Sequence, residues 1–170
     1  PIGANSCRVV KDGKFIPTDN LICSKKGLDF ERIDPLKVLK YYGYGYTVIL
    51  QGIAPANRAL LDLIRNVEVH FHCLSALHAY LTPAHGKGFS PHKDDHDVIV
   101  FQIHGSKEWK VYENDESVSD GFPNSDKNRC RIYTLNPGDF FFLPKEYPHS
   151  AEAKNSSSLH LTISLETPTY

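Results

Sequence analysis

The residues with the most chemistry in this chain are His92 and Asp94, set in Phe89-Ser90-Pro91-His92-Lys93-Asp94-Asp95-His96-Asp97. On an extended segment, residues two apart point to the same side, so the imidazole and the carboxylate converge. Two imidazoles and one carboxylate on one face of an octahedron hold non-haem iron and leave the other positions open. The third ligand must arrive from another strand, and His149 is the candidate. It follows the turn Asn136-Pro137-Gly138-Asp139, the apolar run Phe140-Phe141-Phe142-Leu143 and a corner marked by Pro144 and Pro148. Such a corner can fix a ligand at the mouth of a barrel. A His-x-Asp also occurs in solvated turns, and a lone His often caps a core. The distant Pro-His is what favours the metal reading.

The elements that would position these residues read as follows. Residues 1–33 form an irregular, loosely strand-like arm. Asp34 caps a helix that Pro35 opens, with Leu36, Leu39 and Tyr42 on its buried face. Residues 47–50 are β-branched and apolar, a short strand. Pro55 starts a second helix running to about Glu68, with Ala56, Leu60, Leu63, Ile64 and Val67 at helical spacing. From residue 70 the texture is strands and turns. Residues 73–82 carry His78, Tyr80 and Thr82 on one face. Residues 98–104 and 107–112 are strands joined by Gly105-Ser106, a two-residue hairpin turn. Lys107, Trp109 and Val111 share a face of the second. Residues 113–129 are a polar loop, and 131–135 and 140–143 are strands. In 159–165, Leu159, Leu161, Ile163 and Leu165 lie on one side and His160, Thr162 and Ser164 on the other. Helices followed by short antiparallel strands indicate a mainly β fold: a double-stranded β-helix, or jelly roll, with helices outside it. One domain covers 1–170, with the arm and outer helices in 1–69 and the jelly-roll core in 70–166.

The bulk numbers agree with an ordinary globular domain. The chain has 170 residues, 41% hydrophobic and 23% charged. A net charge of −1 provides no field for nucleic acid or an anionic membrane. No apolar run approaches membrane-spanning length and no secretory signal opens the chain, so a cytoplasmic location is expected. The chain opens on Pro1 and contains no Met, which reads as a processed or trimmed terminus. Cys7, Cys23, Cys73 and Cys130 form no Cys-x-x-Cys pair, and free thiols are expected. His70 and His72 have no partners at ligand spacing. Asn155-Ser156-Ser157 fits a glycosylation sequon and reads as chance.

Taken in order, the motifs resemble the JmjC-type cupin oxygenases, and more closely their ribosomal-oxygenase branch. They are Tyr80-Leu81-Thr82-Pro83, Gly88-Phe89, Pro91-His92-Lys93-Asp94, Asp97-Val98, Gln102-Ile103-His104-Gly105-Ser106-Lys107-Glu108-Trp109, and Gly138-Asp139 through Pro148-His149. The match runs across residues 78–165.

The resemblance implies Fe(II) held by His92, Asp94 and His149, with 2-oxoglutarate as cosubstrate and O2 as oxidant. It places the cation for the distal carboxylate at Lys107. The residues agree, because an inward lysine beside Trp109 must meet an anion or lose its charge. It adds Tyr80 as a hydrogen-bond partner of that carboxylate, a position a core aromatic would also fill. It adds Ser164 as a polar contact, and Thr162 shares that polar face of the last strand; a solvent-facing strand would explain both. His78 stands where the branch commonly carries Asn. The implied reaction releases succinate and carbon dioxide and hydroxylates an unactivated side-chain carbon in a protein or peptide, with a ribosomal protein as the implied partner. The alternatives are a free amino acid or small molecule as substrate, lysine demethylation, or a metal-binding cupin without 2-oxoglutarate chemistry.

Overall fold

A computed structural model describes residues 6–23, 32–112 and 130–166. The polar loop expected at 113–129 lies outside the described residues. The chain enters with β1 (Cys7–Lys11), whose Cys7, Val9 and Val10 are buried. Asp12 and Gly13, both at positive φ, turn it into β2 (Lys14–Phe15). β3 (Ile22–Cys23) and β4 (Arg32–Ile33) pair with each other. The arm is thus more regular than its composition indicates, because β1 pairs antiparallel with β5 (Thr47–Leu50) and joins a main sheet.

Helix α1 (Pro35–Gly43) starts as expected: Asp34 Oδ1 accepts from the Leu36 N–H at 3.0 Å, and Pro35 takes the first helical position. Its buried face is different. Val38 is buried and Tyr41 and Tyr42 pack beside it, while Leu36 and Leu39 are 76% and 57% exposed. Steps of three and four from Val38 select Tyr41 and Tyr42 and leave Leu36 and Leu39 outside the stripe. The second helix is also divided. A 3-10 turn at Ala54–Ala56 absorbs Pro55, and α2 (Arg58–Phe71) begins behind Asn57, whose Oδ1 accepts from Ala59 N–H at 2.8 Å. Ile64 and Val67 are its buried residues. No described helix is long and apolar enough to cross a membrane.

The remaining strands are β6 (Leu74–Thr82), β7 (Asp97–His104), β8 (Lys107–Tyr112), β9 (Cys130–Leu135), β10 (Phe140–Leu143), β11 (His149–Ala153) and β12 (Ser158–Glu166). They form the two sheets of a jelly roll. The large sheet has the order β10-β7-β12-β6-β5-β1-β2, and the small one β11-β8-β9. α2 packs on the large sheet through Ile64 and Val67 against Leu77, Ile163 and Leu165. Val98 and Val100 of the large sheet pack with Trp109 and Leu135 of the small one. β10 lies at the edge of the large sheet, which leaves the expected apolar strand with Phe140 and Phe142 exposed.

Gly105-Ser106 is a two-residue link but not a hairpin. β7 and β8 belong to different sheets, so the link carries the chain across the jelly roll. Gly105 has φ +61, and a Cβ there would overlap the Ser157 carbonyl. Gly138, at φ +94, has open space around it. Gly105→Ala is therefore expected to lose about 2–4 kcal/mol in urea unfolding, and Gly138→Ala only about 1 kcal/mol.

Candidate metal centre

His92 sits in the segment between β6 and β7, and His149 opens β11. Their backbones pair as an isolated antiparallel bridge: His92 N–H donates to His149 O at 3.0 Å and His149 N–H to His92 O at 2.8 Å. The same segment is held to the 144–149 corner twice more. Glu146 N–H donates to Asp94 O at 2.8 Å, and Lys145 N–H to Asp97 Oδ1 at 2.8 Å. Glu146 reaches its position at φ 65.

The side chains converge on one point. His92 Nε2 lies 3.7 Å from Asp94 Oδ1, and His149 Nε2 lies 3.6 Å from Asp94 Oδ2. One donor atom from each of the three residues falls within 4.8 Å of the others. Both rings are oriented by backbone: His92 Nδ1 donates to Ser90 O and His149 Nδ1 to Tyr147 O, each at 3.0 Å. A carbonyl can only accept, so the proton is on Nδ1 and the Nε2 lone pair faces the centre. Backbone anchoring of the remote nitrogen is how proteins orient metal-binding histidines. Burial, then the neighbouring His92, pushes the His149 imidazole below its ordinary pKa, which keeps it a neutral ligand. The donor set therefore fits a divalent ion such as Fe(II).

The centre opens onto a cavity of about 160 Å³ between the two sheets. At its other end is Lys107, 4% exposed. Its Nζ donates to Thr82 Oγ1 at 3.1 Å and lies 3.5 Å from His160 Nδ1. Among the described residues no carboxylate pairs with it, and burial brings its pKa down to about 7. Tyr80 lines the same cavity, its phenol pushed up to about 12 by burial and then by Asp94, so it stays a neutral donor. Trp109 forms a wall, 6.0 Å from the His149 ring and 6.0 Å from Lys107 Nζ.

Of the residues expected from sequence, His92, Asp94, His149, Lys107, Tyr80 and Thr162 line this cavity. Ser164 and His78 are not among its lining residues. Ser164 is buried, and its hydroxyl exchanges hydrogen bonds with the backbone of Ala76. His78 is half-buried and its Nδ1 accepts from the Gly52 N–H at 3.3 Å. The solvent-facing alternative for Thr162 and Ser164 does not hold, since both are buried. His96 Nδ1 lies 2.8 Å from Asp95 Oδ1, and His96 is not among the cavity's lining residues. His160, Thr47 and Thr82 are not among the candidate site residues of the sequence, although Thr82 shares a strand face with Tyr80. Strand alternation placed His160 on the Thr162 face, and that was the available signal.

Comparisons with known proteins agree with this geometry. The JmjC domain family matches residues 53–170. The bifunctional lysine-specific demethylase and histidyl-hydroxylase NO66 of Dictyostelium discoideum is 32% identical over 154 residues, 81% of this chain and 30% of that protein. Its namesake from Brugia malayi is 37% identical over 115 residues, 61% of this chain and 16% of that protein. The chain thus spans less than a third of the length of these relatives. Among solved structures, the ribosomal oxygenase YcfD of Escherichia coli with cobalt and succinic acid superposes with a TM-score of 0.65 at 18% identity, covering 96% of this chain and 40% of that one. The same protein with cobalt and 2-oxoglutarate gives 0.64 at 18% identity, over 96% of this chain and 40% of that one. At that identity the likeness is one of fold.

The buried lysine makes a prediction independent of activity. Its folded pKa of about 7 lies below the ordinary 10.5, so the unfolded chain binds more protons between these values and stability rises with pH across that window. Lys107→Met removes the burden of burying an unpaired charge. Thermal melts should show the variant more stable than the parent near pH 7, with the difference shrinking toward pH 10. A constant difference would show that Lys107 is not the group responsible.

Proposed function

Because the chain belongs to the JmjC domain family, we propose that it is an Fe(II)- and 2-oxoglutarate-dependent oxygenase that hydroxylates an unactivated side-chain carbon in a protein or peptide. The observation that carries this reading is one cavity with two complementary ends. One end presents a carboxylate and two Nε2 lone pairs to a common point. The other presents a buried ammonium without a carboxylate partner among the described residues. A dicarboxylate with a chelating end and a distal end suits both.

When bound, iron and cosubstrate supply the chemistry: 2-oxoglutarate and O2 become succinate and carbon dioxide, and one oxygen atom goes to the substrate. The residues of this chain do the positioning. His92, Asp94 and His149 would hold the ion through two imidazole nitrogens and a carboxylate. Lys107 receives the distal carboxylate, with Tyr80 as a neutral donor beside it. Thr162 lines the wall, and Trp109 and Phe89 restrict water. No general base is required.

The E. coli protein that shares this fold is named a ribosomal oxygenase, and ribosomal proteins are therefore the first substrate class to test. The NO66 relatives are named as both histidyl-hydroxylase and lysine demethylase, which gives the second reading, oxidation of an N-methyl group. The two leave different products, a gain of one oxygen atom or a loss of one methylene. Succinate release should depend on 2-oxoglutarate and Fe(II), and mass spectrometry of a panel of ribosomal proteins and methylated peptides should show one of those changes. Lys107→Ala is expected to lower kcat/KM for 2-oxoglutarate roughly hundredfold or more while metal binding persists. His92→Ala should lose the metal. Undiminished turnover in either variant would refute the assignment.

A further inference from the structure

The cavity end around Lys107 contains a second buried titratable group that the reading above does not use. His160 is 3% exposed. It is fixed on three sides. Its ring stacks on Tyr80 at 4.8 Å with the planes 8° apart, and meets Trp109 edge-on at 5.4 Å and 80°. Its Nδ1 lies 3.5 Å from Lys107 Nζ. It also sits at an irregularity: the register between β12 and β7 shifts between Leu159 and His160. Such bulges redirect a side chain.

We infer that His160 is a positioning residue that orients Lys107 by a neutral acceptor and so reserves its charge for the ligand's distal carboxylate. This rests on the proposed function. An ammonium has three protons and no lone pair, so a charged Lys107 can only donate to Nδ1. Thr82 Oγ1, itself 3.1 Å from Thr47 Oγ1, is the other acceptor. Both are uncharged. They direct Nζ and leave a proton for an incoming anion. Burial and the Lys107 charge hold the imidazole well below its ordinary pKa, which keeps this acceptor neutral. An aspartate at the same place would neutralise the ammonium internally and compete with the ligand. A leucine would leave Nζ with Thr82 Oγ1 as its one acceptor among these.

The chain's single tryptophan, Trp109, reports on this end of the cavity. The whole chain is titrated with glutarate, which carries two carboxylates and no chelating oxo group, and Trp109 fluorescence is followed. In parallel, the Co(II)-loaded chain is titrated with oxalate, which reads only the metal end. His160→Asn keeps an acceptor and should bind glutarate within about threefold of the parent. His160→Leu and His160→Asp should each bind it about tenfold or more weakly, with oxalate binding unchanged. For succinate-forming turnover, the same two variants should raise KM for 2-oxoglutarate more than they lower kcat. Glutarate affinity equal to the parent's in both variants overturns the inference, as does loss in all three, which would mark a packing role. A parent chain that binds oxalate on Co(II) but no glutarate overturns the 2-oxoglutarate reading itself, and this inference with it.

Discussion

Two backbone hydrogen bonds between His92 and His149 hold this site together. They join residues far apart in the chain at the point where their side chains must meet. The segment from Pro83 to His96 follows β11 in the same way: Ala153 N–H donates to Gly86 O, and Lys87 bridges Glu152. It behaves as an irregular further strand on the free edge of the small sheet. The triad is therefore mounted on main chain that is hydrogen-bonded at each of its three residues, and the imidazoles are aimed by carbonyls rather than by other side chains. Side-chain anchors carry rotamer entropy of their own, whereas these are fixed once the strands pair.

The two sheets then set what the metal point faces. β8 brings Lys107 and Trp109 inward, and β12 brings His160 and Thr162 from the opposite wall. The resulting cavity has the carboxylate of Asp94 among its lining residues beside two imidazoles, and the ammonium of Lys107 among those contributed by β8. An unpaired buried lysine is costly to the fold, and it persists where a ligand supplies the missing charge. Thr82 and His160 offer Nζ acceptors without charge, Thr82 being held in turn by Thr47, which lessens the cost of desolvating Nζ but does not remove the need for an anion.

Much of this was legible beforehand, for physical reasons that can be named. The cap at Asp34 is a local interaction, and it is present as read. The inward turn of Lys107 followed from its sharing a strand face with Trp109, and both are buried. Of the seven strands from β6 onward, six lie within one residue of their expected limits, while β11 was not expected, because His149-Ser150-Ala151-Glu152-Ala153 carries no β-branched or aromatic run. The buried face of α1 was misread because Leu36 and Leu39 are equally apolar, and hydrophobicity alone cannot say which stripe a nine-residue helix turns to its neighbours. The Gly105-Ser106 link was misread because two residues can close a hairpin or cross between sheets, and a hydrogen-bond partner far along the chain decides which.

Donor types and their alternation along each strand can be read from the chain itself, because side-chain chemistry and the two-residue period of a strand are local properties. That His92, Asp94 and His149 meet at one centre is implied only by the resemblance, since no local period links residues so far apart. Which polar residues share the cavity depends on the packing of the two sheets. Ser164 and Thr162 lie on the same face of β12, two residues apart, yet Thr162 lines the cavity and Ser164 is spent on the backbone of Ala76. His160 became a neighbour of Lys107 because β12 pairs with β6 in a register that sets it against Tyr80, while β8 crosses from the facing sheet. Proximity of that kind arises from strand pairing at long range, which no local spacing encodes.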